Sequence, residues 1–281
     1  MGHTRGIPGP RQDVSAAEAE LQWATAAINH GRPEEAERFA RNVLAGIPQH
    51  PKALHLLGCA LLQQSRAAQA VAPLEKAARA LQDPAVETRL GIALRQIGRT
   101  DDALTRLRHA IRRRPAHAEA FHELGALLLS LGRADEALTV VERGIELAPE
   151  AAELSILLGV IRHRCRDHAQ ARAAFARALA IAPDHPEAHY GMGAVMTDDA
   201  EYSQAAEHLQ RVVAGNGGDV QARLKLGVCL LELGRVDDAL ANLRAAVRGD
   251  PDCYRFALTL VSSSARGRFW LRPSAAAKHL R

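Results

Sequence analysis

The residues best suited to chemistry are histidines set beside other possible ligands. His163, Cys165 and His168 stand in the run His-Arg-Cys-Arg-Asp-His, which has metal-ligand residue types. A zinc site needs four such ligands, or three and a water. The helical pattern puts His168 beyond a turn from the other two, so the three are not expected to converge and no metal is expected. His185 and His189 are spaced i, i+4, as in the helix of a metalloprotease. That chemistry needs a Glu directly after the first His, and Pro186 stands there. The runs His50–His55 and His117–His122 are built the same way, which makes all three a recurring loop and first helical turn. Arg106, Arg108, Arg112, Arg113 and Arg114 form a basic run ahead of Pro115 and suit the C-terminal end of a helix dipole. No P-loop, GxSxG or GxGxxG element is present, and Gly215-Asn-Gly-Gly218 continues into no phosphate cradle. The sequence therefore predicts no catalytic residue, no enzyme activity and no cofactor.

The elements that must position these residues follow from composition and periodicity. Of 281 residues 47% are apolar but only 4% aromatic, so the core must be built from Ala and Leu, both strong helix formers. Cys59, Cys165, Cys229 and Cys253 show no paired spacing, as expected of reduced thiols in a cytoplasmic compartment. The first residues, MGHTRGIPGPRQDVS, contain no apolar run of a signal peptide, and no stretch is apolar enough to span a membrane. The net charge of +4 is unevenly spread: residues 254–281 hold six Lys/Arg and no acid. Without those six the body holds 30 bases against 32 acids, which argues against nucleic-acid binding.

Self-similarity organises the rest. IGRTDDAL at 97–104, LGRADEAL at 131–138 and LGRVDDAL at 233–240 are one phrase at multiples of 34 residues. Glycines stand at 58, 91, 125, 159, 193 and 227, and alanines twelve positions later at 70, 103, 137, 171, 205 and 239. Trp23, Ala24 and Ala36 extend the register one unit earlier. Pro48, Pro115, Pro149, Pro183 and Pro251 close units. Within a unit Phe121, Leu124, Leu128 and Leu131, then Leu138, Val141, Ile145 and Ala148, recur with helical spacing. Each unit reads as a helical hairpin whose Gly and Ala are small where the two helices cross. The repeated phrase is the joint between them, with Gly132 in the left-handed position that ends the first helix.

This pattern resembles the tetratricopeptide repeat over about 17–253: Phe121, Leu124-Gly125, Ala137, Val141 and Pro149 match its signature in one unit, and Leu158-Gly159, Ala171, Phe175, Ala178 and Pro183 in the next. The resemblance implies an all-α, right-handed α-solenoid of about seven helical hairpins with a C-terminal capping helix. The segments expected are a flexible leader at 1–16, seven units over 17–253, a capping helix at 254–265 and a basic, aromatic-containing tail at 266–281.

In this family the first helices line a concave groove that grips a peptide or partner domain. The matching positions here include Lys52, His55, Cys59, Arg95, Gln96, His122, His163, Arg164, Tyr190, Thr197, Asp198 and Glu232, mixed with Ile92, Ala126, Ile156, Val160, Leu224 and Val228. The expected partner is an extended or helical protein segment with some acidic character. The Lys/Asn clamp of chaperone-binding members is missing, because its ninth positions carry Thr25, Cys59, Ile92, Ala126, Val160, Ala194 and Val228. The Asn ladder of solenoids attached to sugar transferases is missing too. In the tail, Arg268, Phe269, Trp270 and Arg272 either pack on the last unit or dock on an acidic partner or an anionic membrane surface. The resemblance implies a bacterial, cytoplasmic scaffold for protein–protein interaction. The alternative is a regulatory or substrate-presenting arm of a glycosyl- or sulfo-transferase system whose catalytic domain is on another chain.

Overall fold

The computed structural model describes residues 10–216, 218–262 and 277–278, with side chains from 16 onward. Among them there is no strand. The chain divides into two compact units, Met1–Gly132 and Arg133–Arg281.

The first unit contains α1 (Pro10–Asn29), α2 (Pro33–Gly46), α3 (Pro51–Gln63), α4 (Ala67–Leu81), α5 (Pro84–Gln96), α6 (Thr100–Arg112) and α7 (Ala118–Ser130). It holds the hairpins α1–α2, α3–α4 and α5–α6, and α7 packs against α5 and α6. Helix α1 starts at Pro10, so the second half of the segment expected as a flexible leader, 1–16, is helical.

The second unit contains α8 (Ala134–Leu147), then the hairpins α9 (Ala152–Arg164) with α10 (His168–Ile181), α11 (Pro186–Asp198) with α12 (Tyr202–Gly215), and α13 (Val220–Glu232) with α14 (Val236–Gly249). A 3-10 turn at Pro251–Cys253 leads into α15 (Tyr254–Ser262), which packs on α13 and α14. Ala257 and Val261 are its buried residues, whereas Phe256 is 55% exposed. The residues of the expected tail site, Arg268, Phe269, Trp270 and Arg272, lie outside the described residues.

The register read from the sequence is a packing register. Ala36, Ala70, Ala103, Ala137, Ala171, Ala205 and Ala239 all have no exposed surface. The glycines meet a different partner from the expected alanine. A Cβ at Gly91 would stand 2.7 Å from Leu107, one at Gly193 2.8 Å from Leu209 and one at Gly227 2.7 Å from Leu243. Each of those leucines follows the register alanine by one helical turn, so the glycine makes room for a large side chain from the second helix. Burying such a leucine contributes about 1.5–3 kcal/mol, which is lost if the helices are held apart.

Joints are equally regular. Gly31, Gly98, Gly132 and Gly234 have φ between +64° and +79°. The amide after the joint then reaches back five residues: Arg99 N–H donates to the Leu94 carbonyl at 2.9 Å, and Arg235 N–H to Leu230 at 2.8 Å. This satisfies carbonyls left over at the helix end. The guanidinium turns forward onto the first turn of the second helix: Arg99 to Asp102, Arg133 to Glu136 and Arg235 to Asp238, at 2.6–2.7 Å.

Candidate functional site

Within each unit, first helices touch successive first helices: α1–α3, α3–α5 and α5–α7 in one, α9–α11 and α11–α13 in the other. Within each unit, among the described residues, no second helix touches the next second helix. The first helices thus form an inner layer whose remaining open face displays the positions that vary between repeats.

In the first unit this face carries charge pairs between neighbouring helices. Arg89 on α5 binds Glu119 on α7 at 2.7 Å, and Arg95 binds Glu123 at 3.1 Å. His117 adds a contact to Glu119 at 3.3 Å and His122 one to Glu123 at 3.7 Å. The His117 contact, with Arg89, outweighs burial and holds the Glu119 carboxyl below its usual range. At Glu123 burial opposes ionisation, but His122 and Arg95 prevail and lower its pKa as well. Sequence reading named Arg95 and His122 and missed Glu119 and Glu123. The signal in the sequence is an acid one repeat on from each arginine.

Other expected groove residues divide by burial. Lys52, Arg95 and Gln96 are exposed, and His122 is half-buried. His55 and Cys59 are partly buried: burial lowers the pKa of His55 and pushes the Cys59 thiol up to about 11, which makes it a poor nucleophile. Nε2 of His55 is buried without a hydrogen-bond partner. Ile92, Ile156 and Leu224, expected as apolar lining, are 4–8% exposed and belong to the core. They pack between helices, so the open face is more polar than the sequence implied.

In the second unit Arg164 is exposed, and Nε2 of His163 on α9 binds Oδ2 of Asp198 on α11 at 2.8 Å. The ring of His168 stands edge-on to that of His163, with centroids 5.6 Å apart. The structure therefore brings the two histidines together, and Arg166, at φ +64°, turns the chain sharply enough to do it. Cys165 is exposed at the helix end and outside the group. Asp199 accepts from His168 Nδ1 at 2.5 Å and from Arg172 at 2.6 Å, and the His168 bond chiefly holds its carboxyl below the usual range.

Tyr190 lines a separate cleft of about 420 Å³ with Pro186, Glu187, Val212, Asn216, Asp219 and Gln221. Burial, then the nearby Asp219 carboxylate, raises its pKa. Thr197 donates to the Gly193 carbonyl at 2.7 Å and contacts Cys229 Sγ at 3.2 Å, so it serves packing.

Comparison with known proteins agrees with this architecture. The family model for the tetratricopeptide repeat matches residues 21–84, 88–152, 122–186 and 198–259, and the chain belongs to that family. Similar solved structures include a chain of the APC/C hetero-tetramer Cut9–Hcn1 (TM-score 0.70, 15% identity, 82% of this chain). This protein spans 45% of the length of that one. Another is pilF of Pseudomonas aeruginosa (TM-score 0.64, 22% identity, 73% of this chain and 94% of that one). A third is YrrB, described as a TPR protein with an unusual peptide-binding site (TM-score 0.50, 19% identity, 64% of this chain and 93% of that one). At these identities the likeness is one of fold. No match to a curated protein was found. The repeats are those of a protein-interaction scaffold. Among the described residues no helix is long and apolar enough to cross a membrane.

Proposed function

We propose that the protein is a non-catalytic scaffold that holds an extended or helical segment of a partner protein on the open face of its first helices. The observation that carries this reading is the display of half-exposed charge pairs between successive first helices, Arg89–Glu119 and Arg95–Glu123. They place donors and acceptors of both signs along one face, as recognition of a polypeptide requires. The paired charges also refine the partner's chemistry. Arg95 and His163 already face carboxylates of the same chain. A purely acidic segment would have to displace Glu123 and Asp198, so a segment of mixed charge fits better. Lys52, His55, Cys59, Gln96, Arg164 and Tyr190 supply the remaining contacts. Peptide binding by YrrB, of similar fold, is consistent with this, and the four free thiols suit a reducing cytoplasm.

The test is co-purification with mass spectrometry, followed by binding measurements with the recovered partner. Tyr190→Ala and His122→Ala should each weaken binding about fivefold or more, the equivalent of about 1 kcal/mol for an interface residue that matters. Arg143→Ala and Arg177→Ala, on second helices, should leave it unchanged. The reverse pattern would overturn the proposal. A transferase among the recovered proteins would make the scaffold an arm of such a system.

A further inference from the structure

We propose that His163, His168 and Asp198 form a binding site for a divalent transition-metal ion, zinc above all. One ligand atom from each of the three lies within 4.8 Å of the others. Tetrahedral zinc with bonds of about 2.0–2.2 Å sets its ligand atoms about 3.3–3.5 Å apart. The required closure is thus about an ångström, within reach of partly exposed side chains at a helix end. Two histidines and a carboxylate are a zinc-type donor set that leaves one position for water.

The surroundings of His168 argue for ligation over a chance cluster. Its Nδ1 bonds Asp199 at 2.5 Å, and Asp199 is itself held by Arg172 at 2.6 Å. Arg172 is anchored in turn to Glu201 at 2.8 Å. A carboxylate on one ring nitrogen fixes the proton there and leaves the other nitrogen as a bare lone pair, the arrangement that orients metal-binding histidines. That other atom, Nε2, is buried and has no hydrogen-bond partner in the structure. A buried polar atom without a partner is costly, and a metal bond would satisfy it. The neighbouring guanidiniums are engaged on carboxylates other than Asp198: Arg162 is paired with Glu142 at 2.8 Å and Asp167 at 3.8 Å, and Arg172 with Asp199 and Glu201.

The three ligands come from α9, the start of α10 and the end of α11, so a bound ion ties two successive hairpins together on the side of the His163–Asp198 contact. Two of its ligands, His163 and Asp198, lie on the proposed partner face, but metal uptake is measured without a partner. Its open fourth position accepts water or an outside donor such as a histidine or carboxylate.

The experiment uses the full chain without an affinity tag, stripped with chelator and titrated with Zn²⁺ by calorimetry and with Co²⁺ by visible absorption. One equivalent should bind with the absorption of tetrahedral cobalt, and the melting temperature should rise. His163→Ala and Asp198→Ala, both at the surface, should abolish that equivalent while far-UV circular dichroism stays unchanged. Asp199→Asn, which acts only by orienting His168, should weaken it 10–100-fold. Cys165→Ser should bind as the parent does. Uptake that is undiminished in His163→Ala and Asp198→Ala, or no saturable uptake by the parent, overturns the proposal.

Discussion

Ser65, Arg166 and Ala200 occupy the joint that Gly31, Gly98, Gly132 and Gly234 fill elsewhere, and they adopt the same left-handed backbone with φ of +58° to +64°. A residue with a Cβ pays about 1–2 kcal/mol there, whereas glycine costs about 0.5–1 kcal/mol in unfolded-chain entropy. Ala200→Gly should therefore stabilise the protein by up to about 1 kcal/mol in urea denaturation, and a loss of stability would contradict the strain. A second residue-scale prediction concerns pH. His189 Nε2 donates to the Pro183 carbonyl at 2.9 Å, so its Nδ1 accepts from His208 Nδ1 at 2.8 Å. Burial, then His189, lowers the pKa of His208 in the folded protein. The unfolded chain then takes up a proton at a higher pH than the folded one does. Stability should fall as pH drops below about 6.5, and His208→Gln should flatten that fall in melts between pH 7.5 and 5.5.

At the scale of the element, Phe175 shows how much of the packing was legible. The sequence placed it at a signature position in α10, and the structure buries it to 1% exposure. It also marked Gly159 as the small crossing residue, where a Cβ would stand 2.7 Å from the Phe175 ring. What it did not show is Gly191, which faces the same ring from α11. Equivalent positions carry Leu157 and Lys225. A phenylalanine replaces the leucine of other repeats, and a second glycine on the next first helix makes room for it. Such compensation is invisible to a reading repeat by repeat, because the two residues belong to different repeats. Gly159→Ala should lower stability by about 1–3 kcal/mol through overpacking, and adding Phe175→Leu should recover part of the loss. Additive losses in the double variant would contradict the clash. The interhelical acids are hidden for the same reason: Glu119 and Glu123 meet Arg89 and Arg95 from one repeat away. His163 and His168 stand on either side of a turn, and only its geometry, a left-handed residue at Arg166, brings them together.

For the whole molecule, repetition made the fold readable and left function to the positions that do not repeat. The alanine register, the glycines and the joint phrase are structural wherever they occur. The open first-helix faces differ from repeat to repeat, and they carry the proposed partner site in each of the two compact units. The most direct test is photo-cross-linking in cells, with a benzophenone amino acid placed singly at His122 and Tyr190 on first helices and at Arg143 and Arg177 on second helices. The account predicts that the first-helix positions yield adducts to segments of a common partner and the second-helix positions yield none. Adducts arising only from Arg143 and Arg177 would contradict it.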